Sequence, residues 1–290
     1  MAAEHPIREP APAKINLYLH VTGKRDNGYH LLDSLVVFAN AGDRLEAVSA
    51  DTITLDYAGP FVDALPAPEK NLVMRAARQL AELFSVEAGA HMTLHKNLPV
   101  ASGIGGGSAD AAAALRALIR LWHIDPNDAR LAKLALSLGA DVPVCLMTRP
   151  AVMRGIGEDL RLLASFPGLP LVLVNPGVGV ATPDVFKARS GEFSASVEWP
   201  ESATDVNTVI DTLRNTKNDL QAPAVSLAPV IADVLAALEN QPGSKLTRMS
   251  GSGATCFAIF ERDSDAQAAA HTIANAAPGW WVQAASVYGA

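Results

Sequence analysis

Residues 98–110 have the sequence Leu98-Pro99-Val100-Ala101-Ser102-Gly103-Ile104-Gly105-Gly106-Gly107-Ser108-Ala109-Asp110, with four glycines in five consecutive positions. Glycine lacks a Cβ atom, so such a chain can adopt positive φ angles and approach a ligand closely. A helical pattern follows, because apolar residues recur at Leu115, Leu118, Ile119 and Trp122. The first N–H groups of a helix have no partners within it and attract anions. The segment therefore predicts a phosphate-binding loop, with Ser108 as the N-cap of the helix.

Two common glycine-rich motifs do not fit this loop. A P-loop ends in Gly-Lys followed by Ser or Thr, whereas Gly107 is followed by Ser108 and Ala109. A dinucleotide-binding fingerprint that starts at Gly103 requires Gly or Ala at position 108, where this chain has serine. For the loop taken alone, the alternative that its glycines only form a tight turn into a helix stays open.

The composition limits the class of partner. The chain has 290 residues, a net charge of −7 and no run rich in lysine or arginine, which argues against nucleic acid or an anionic membrane as the main partner. Residues 1–12 lack the apolar core of a signal peptide, and no apolar stretch approaches the ~18 residues of a membrane span. Cys145 and Cys256 are isolated in apolar contexts, as is typical of buried thiols in a reducing compartment. We therefore expect a cytoplasmic protein with a small-molecule ligand.

Hydrophobic periodicity predicts an α+β protein. The first half shows strands near 15–21, 34–38, 44–48 and 92–95, and helices at 71–84, after the loop and at 127–138. The second half shows strands at 171–174, 245–249, 255–260 and 281–287, and helices near 203–214, 225–239 and 266–276. This alternation indicates helices on an antiparallel sheet in the second half. We expect domains at residues 1–152 and 153–290.

Three further segments carry polar groups, and each has an ordinary structural explanation. Lys14 and Asn16 share one face of a predicted strand, which a solvent-facing edge would explain. Asp141 follows Gly139 and precedes an apolar run, where an aspartate is usually an N-cap or a turn residue. Residues 249–255, Met-Ser-Gly-Ser-Gly-Ala-Thr, are a second small-residue loop that could be only a hairpin turn.

Together, these segments resemble the GHMP kinase superfamily, which includes galactokinase and the homoserine, mevalonate and phosphomevalonate kinases. Three motifs occur in the family order: Pro-Ala-Lys-Ile-Asn-Leu at 12–17, the glycine loop that begins at Pro99, and Ser-Gly-Ser-Gly-Ala at 250–254. Residues 23–30, the expanded loop at 103–108 and residues 139–143 resemble the members that phosphorylate a diphosphocytidyl sugar alcohol for non-mevalonate isoprenoid synthesis. The resemblance implies a two-domain fold, with an N-terminal domain like ribosomal protein S5 domain 2 and a C-terminal ferredoxin-like α/β sandwich.

The resemblance also implies roles for individual residues. Asp141 corresponds to the base that accepts the hydroxyl proton, Lys14 to the lysine beside it, and Asn16 to a residue that holds the erythritol end. Tyr29 and Phe186 match the aromatic residues that sandwich cytosine, His30 the residue that reads its polar edge, and Thr182 a hydroxyl contact to the methylerythritol. Expected on the ATP side are Asn71, Lys96, Pro99, Val100, Ala101, Ser102, Gly103, Ile104, Gly105, Gly106, Gly107, Ser108 and Ala109.

ATP is the implied co-substrate, with Mg²⁺ bridging its phosphates. Many members have two adjacent hydroxyl residues after the glycines, whereas Ser108 is followed here by Ala109, so we assign no side chain as a metal ligand. Asp110 either approaches the ion or complements the helix dipole. We expect a monomer or weak dimer, with no nucleic-acid or membrane partner. Two alternatives stay open: a kinase of another small alcohol, such as homoserine or mevalonate, and a non-catalytic nucleotide-binding regulator.

Overall fold

A computed structural model describes residues 5–200, 203 and 205–288. Its strands are β1 (Ile7–Lys24), β2 (His30–Ala50), β3 (Ile53–Ala58), β4 (Gly89–His95), β5 (Ala151–Gly155), β6 (Asp159–Leu162), β7 (Pro170–Asn175), β8 (Leu246–Met249), β9 (Cys256–Ile259) and β10 (Trp281–Ser286). Its α-helices are α1 (Leu72–Phe84), α2 (Gly106–Leu121), α3 (Arg130–Leu138), α4 (Val142–Met147), α5 (Thr182–Ala188), α6 (Val206–Arg214), α7 (Gln221–Leu227), α8 (Val230–Glu239) and α9 (Asp263–Ala276). The predicted α+β class is confirmed. Among the described residues, no helix combines the length and the apolar character needed to span a membrane.

The chain divides into two compact units, and neither is one continuous segment. The first unit contains Met1–Ala13, Gly42–Val100 and Gly105–Thr148, and the second contains Lys14–Ala41, Ala101–Ile104 and Arg149–Ala290. Strands β1 and β2 each contribute residues to both units. The domain division expected between residues 152 and 153 stays a prediction.

In the first unit, helices pack on a short mixed sheet. The C-terminal part of β2 pairs antiparallel with β4, which pairs parallel with β3. Alternate residues of β4, such as Met92 and Leu94, are buried, as expected for a strand with one face on a core. Helix α2 buries a run of alanines, and their small side chains allow close packing against α1 and α4.

The second unit contains two sets of paired strands. The N-terminal part of β2 pairs antiparallel with β5, which pairs antiparallel with β6. A separate antiparallel sheet has the order β10-β7-β9-β8. Every residue of β7 is buried, and helices α8 and α9 pack against this sheet. Their shared core contains Val172, Val174, Ile231, Val234 and Ile273.

Several predicted boundaries were wrong. The strands expected at 34–38 and 44–48 form one strand, β2. Residues 40–43 stay extended, and Gly42 lets the backbone approach Ala11, whose carbonyl oxygen would lie 2.5 Å from an added Cβ. The helix expected at 225–239 is two helices, because Pro229 disfavours a helical conformation at Ala228. Strands β3, β5 and β6 and helices α4 and α5 had no counterpart in the prediction.

Candidate active site

The helix that follows the glycine-rich loop begins at Gly106, three residues earlier than predicted. Its N-cap is Gly105, with a φ of 65°, and the Gly105 carbonyl accepts a hydrogen bond from Ala109 N at 2.9 Å. The prediction of Ser108 as the N-cap was wrong, because glycine at positive φ starts the helix and Ser108 lies in its first turn. Gly105 has no side chain that could cap the first N–H groups of α2. These groups are the donors that an anion at this position would use.

Open space borders this first turn. Gly107 is exposed, and a Cβ added there would meet no heavy atom within 4 Å. Ile104 and Ala109, by contrast, have buried side chains. Of the residues expected on the ATP side, these two can therefore offer a ligand only their backbone groups.

Within the second unit, residues 101–104 contact the small-residue loop at 250–255. Thr255 N donates to Ser102 O at 3.1 Å, and Ser250 Oγ donates to Gly103 O at 3.3 Å. Residues 250–255 do connect strands β8 and β9, as the hairpin alternative expects. Because they also bind residues 101–104, they are more than a turn.

The glycines of these two loops permit a close approach of backbone to backbone. A Cβ on Gly103, whose φ is +76°, would lie 2.5 Å from Gly253 O. A Cβ on Gly251 would lie 2.5 Å from Gly103 O. No side chain fits at either distance, so both positions require glycine.

The strand motif at 12–17 joins the same cluster of loops. Lys14 N donates to Ile104 O at 2.9 Å, and Asn16 N donates to Ser250 Oγ at 3.1 Å. The three motifs, which are far apart in sequence, therefore meet within the second unit. This shared location is what a common binding function for them would require.

Lys14 and Asn16 are buried, with 4% and 1% of their surfaces exposed. The alternative that they line a solvent-facing strand edge was therefore wrong. Asn16 Nδ2 donates to Ser34 Oγ at 2.8 Å, whereas Asn16 Oδ1 has no hydrogen-bond partner among the described residues. Such an atom needs an explanation, because most buried polar side-chain atoms in proteins have a hydrogen-bond partner.

Asp141 belongs to the first unit and lies at the N-terminal end of helix α4. It occupies the N-cap position, but its side chain makes no capping hydrogen bond, which separates it from an ordinary N-cap aspartate. Its side chain is only half-buried. The role of Asp141 as the base stays a prediction.

The residues expected to bind cytosine include a stacked pair. The rings of His30 and Phe186 have centroids 4.8 Å apart and an interplanar angle of 18°, while Tyr29 is 62% exposed. Burial, with smaller effects of Lys24 and Arg189, lowers the pKa of His30. A lowered pKa favours the neutral imidazole, which has one donor and one acceptor nitrogen.

Thr182, the first residue of α5, contacts the loop at 250–255. Its Oγ1 lies 2.8 Å from Ser252 Oγ. The residue expected to contact the methylerythritol thus lies beside the loop that also binds Asn16 through Ser250.

Asn71 and Lys96, both expected near adenosine, have partners within the protein. Asn71 caps helix α1, since its side chain accepts a hydrogen bond from Val73 N at 2.9 Å. Lys96 is 2% exposed, and its Nζ donates to Asp43 Oδ2 at 2.5 Å and to Asp110 Oδ2 at 2.8 Å. Their roles toward ATP stay predictions.

Asp110 performs neither of the two roles expected for it. Its side chain is buried against Lys96, so it is not presented to a metal ion and does more than complement the helix dipole. Burial, with the neighbouring Asp43 carboxylate, raises the pKa of Asp110 to about 8 against the opposing effect of Lys96. Among the described residues, no cluster of three His, Cys, Asp or Glu side chains could hold a metal ion. The hydroxyl residues that adjoin the glycines in sequence are Ser102 and Ser108.

Sequence patterns carried little signal for three further residues, namely Ser34, Asp43 and Arg248. Arg248 is buried, and its guanidinium donates to the carbonyls of Leu17, Leu213 and Thr216 at 2.6, 3.0 and 2.8 Å. Burial lowers its pKa to about 10. Its position within an apolar strand pattern, directly before the small-residue loop, was the one available signal.

Comparisons with known proteins agree with this arrangement. Residues 71–149 match the N-terminal domain of GHMP kinases, and residues 202–279 match the C-terminal domain. A 4-diphosphocytidyl-2-C-methyl-D-erythritol kinase of Paramagnetospirillum magneticum is 51% identical over 277 residues, covering 96% of this chain and 97% of the relative. One from Cereibacter sphaeroides is 52% identical over 286 residues, covering 96% and 98%. The chain belongs to the GHMP kinase family.

Solved structures of GHMP kinases support the fold. A crystal structure of 4-(cytidine 5'-diphospho)-2C-methyl-D-erythritol kinase has a TM-score of 0.80 and 34% identity, covering 98% of this chain and all of the other. A homoserine kinase from Cytophaga hutchinsonii has a TM-score of 0.70 at 20% identity, covering 100% and 96%, and supports the fold alone. The predicted two-domain GHMP kinase fold is confirmed.

Proposed function

We propose that this GHMP kinase transfers the γ-phosphoryl group of ATP to the 2-hydroxyl of 4-diphosphocytidyl-2-C-methyl-D-erythritol, a step in non-mevalonate isoprenoid precursor synthesis. The observation that carries the proposal is the identity of about half of all residues, over nearly the whole chain, with kinases named for this substrate. The meeting of the family motifs within the second unit supports it independently.

The reaction needs a proton acceptor and a means of stabilising negative charge. In the proposed step, the 2-hydroxyl oxygen forms a bond to the γ-phosphorus while the bond from that phosphorus to the bridging β-γ oxygen breaks, which releases ADP. Asp141 accepts the hydroxyl proton. The Lys14 ammonium stabilises negative charge on the attacking oxygen.

ATP binds through the glycine-rich loop and the first turn of α2. The uncapped N–H groups of α2 donate to phosphate oxygens, and the open space beside Gly107 accommodates them. Ser108 supplies a hydroxyl in the same turn. Mg²⁺, when bound with ATP, would neutralise part of the phosphate charge.

The substrate binds through its two ends. Asn16 and Thr182 contact the methylerythritol, and the free Oδ1 of Asn16 is suited to accept a hydrogen bond from a hydroxyl group. Tyr29 and Phe186 stack on cytosine, and His30 reads its polar edge. Because His30 already covers one face of Phe186, a base that stacks on that face displaces the imidazole.

Stacking tolerates any base, so discrimination depends on hydrogen bonds such as those of His30. Homoserine and mevalonate carry no base to stack, so neither substrate would need the aromatic residues Tyr29 and Phe186.

We also propose, as expected from the sequence, that the enzyme is cytoplasmic and is a monomer or a weak dimer.

The test is an assay of ADP release with three alcohols side by side: the diphosphocytidyl alcohol, homoserine and mevalonate. We expect turnover with the first and at most traces with the others. Preferred turnover of homoserine or mevalonate would assign a different substrate, and binding of ATP with no turnover of any alcohol would indicate a non-catalytic regulator.

A further inference from the structure

A buried cluster of ionisable side chains lies at the base of the glycine-rich loop. It consists of Asp43, Lys96 and Asp110, and we call it the loop clasp. The side chains of Lys96, Asp43 and Asp110 are 2%, 0% and 4% exposed, and all three residues belong to the first unit. Burial of three ionisable groups is unfavourable unless hydrogen bonds and opposite charges offset the loss of hydration. The arrangement therefore needs an explanation.

The clasp binds the segment that leads into the loop. Asp43 Oδ1 accepts hydrogen bonds from Asn97 N at 2.6 Å and from Leu98 N at 2.8 Å. These amides directly precede Pro99. The carboxylate therefore fixes the backbone on the N-terminal side of the loop.

The clasp also binds the segment that leads out of the loop. Asp110 lies in the second turn of α2, and its Oδ2 accepts from Lys96 Nζ, which also donates to Asp43. A Cβ added at Gly106 would lie 3.1 Å from Lys96 Nζ. The absence of a side chain at Gly106 gives the ammonium room to bridge Asp43 and Asp110.

The structure thus assigns Lys96 a different task from direct contact with adenosine. We propose that Asp43, Lys96 and Asp110 act as positioning residues that hold the two ends of the glycine-rich loop together and thereby maintain nucleotide affinity. This inference rests on the proposed function only in taking the loop to be the ATP site. It does not depend on which alcohol is phosphorylated.

The primary test is the Kd of a non-hydrolysable ATP analogue with Mg²⁺, measured by calorimetry on the full chain. Asp110→Ala removes the tie to α2, and we expect the Kd to rise at least about 10-fold. Asp110→Asn keeps an oxygen acceptor for Lys96, and we expect its Kd to stay within about 3-fold of the unaltered chain. Rescue by Asn would identify the hydrogen bond, rather than the charge, as the essential contact.

A matched control uses another buried carboxylate, Glu9 of strand β1, which contacts the same helix. Glu9 binds Arg116 and Arg120 of α2 at 3.0 and 2.6 Å, but these residues lie toward the helix end farther from the loop. Glu9→Ala should lower the unfolding temperature without changing the Kd. If Glu9→Ala and Asp110→Ala weaken binding equally, the clasp has only a general stabilising role and the proposal is overturned.

The direction in which Asp110→Ala changes the Kd distinguishes a positioning role of the loop clasp from direct contact between Lys96 and ATP. If Lys96 bound ATP directly, Asp110→Ala would release the ammonium and leave the affinity equal or higher, which would overturn the proposal. Lys96→Met is a supporting variant, expected to weaken binding as much as Asp110→Ala if it folds. Nucleotide binding without turnover of the alcohol would contradict the proposed function alone, whereas absence of nucleotide binding in the unaltered chain would overturn both.

Discussion

The hydrogen bond between Asn16 and Ser34 fixes the orientation of the Asn16 side-chain amide. Ser34 Oγ donates its one hydrogen to the backbone carbonyl of Tyr18, at 2.5 Å. The same oxygen must therefore accept from Asn16, and it does so from Nδ2 at 2.8 Å. As a result, Asn16 Oδ1 points away from Ser34 as a hydrogen-bond acceptor with no protein partner among the described residues.

Ser34→Ala should weaken the binding of the alcohol substrate. Without the serine acceptor, the amide of Asn16 loses its fixed orientation, and we expect the KM for the alcohol to rise about 3- to 10-fold while the KM for ATP stays unchanged. Steady-state kinetics with each substrate varied measures both values. Tyr18→Phe is a matched control, because it removes the buried hydroxyl that donates to Asp33 and leaves Ser34 and Asn16 untouched. An equal rise of the KM in both variants would contradict an orienting role for Ser34.

Asp141→Asn should lower turnover more than binding. Asparagine keeps the size of the side chain but cannot accept a proton, and general-base assistance is typically worth 10²–10⁴-fold. We expect kcat to fall at least ~100-fold with the Kd of the alcohol nearly unchanged. Rapid-quench kinetics with equilibrium binding separates the two. Near-normal turnover would show that the carboxylate mainly orients the hydroxyl, as a loose transition state with late proton transfer allows.

Two glycines of the loop should respond oppositely to alanine. Gly103→Ala places a Cβ 2.5 Å from Gly253 O at a residue with positive φ, so we expect a loss of about 1–3 kcal/mol or more in the free energy of unfolding. Gly107→Ala adds a methyl group to open space within a helix, so we expect a gain of about 0.5–1 kcal/mol. Denaturant unfolding without nucleotide measures both. A stable Gly103→Ala variant would show that residues 101–104 and 250–255 need not touch.

The stability of the protein should fall as the pH rises toward 8, through Asp110. The pKa of Asp110 is about 8 in the folded protein and 3.8 for an ordinary aspartate. At a pH between these two values, Asp110 is protonated in the folded state and ionised in the unfolded state. The contribution of Asp110 to the free energy of unfolding therefore decreases as the pH rises through this range, by up to about 1.4 kcal/mol per pH unit. Lys96, whose pKa is also raised, stays charged in both states there and adds no slope.

The measurement is the difference in unfolding free energy between the original chain and Asp110→Asn, which cannot titrate. We expect this difference to vary across pH 4–8 and to level off outside it. A difference independent of pH would mean that Asp110 is ionised in the folded state throughout this range.

The sequence predicted the elements that carry periodic patterns, and it failed where tertiary partners determine the environment. Helix α1 and strands β7 and β9 lie close to their predicted positions because local hydrophobic spacing specifies them. Helix α4 was missed because a short apolar run with Pro143 in its first turn has no readable period. Strand β2 was divided in two because residues 40–43 resemble a turn.

The same distinction applies to the candidate site. The loop motifs were recognisable because glycine and serine at fixed spacing carry information on their own. The burial of Asn16 was not, since its partners Ser34 and Ser250 lie 18 and 234 residues away. The partnership of Lys96 with Asp43 and Asp110 depends likewise on contacts 53 and 14 residues apart. A pattern read along the chain cannot reveal pairings of this kind.

The discontinuous units also determine when each part of the molecule can fold during synthesis. Residues 14–41 leave the ribosome early, but Arg149–Ala290 of their unit is translated last. Until then Leu17 O lacks Arg248, Asn16 N lacks Ser250, and apolar side chains such as Ile15 have no completed core. A nascent chain that stops at Thr148 therefore exposes an apolar strand to solvent until the rest of its unit has been synthesised.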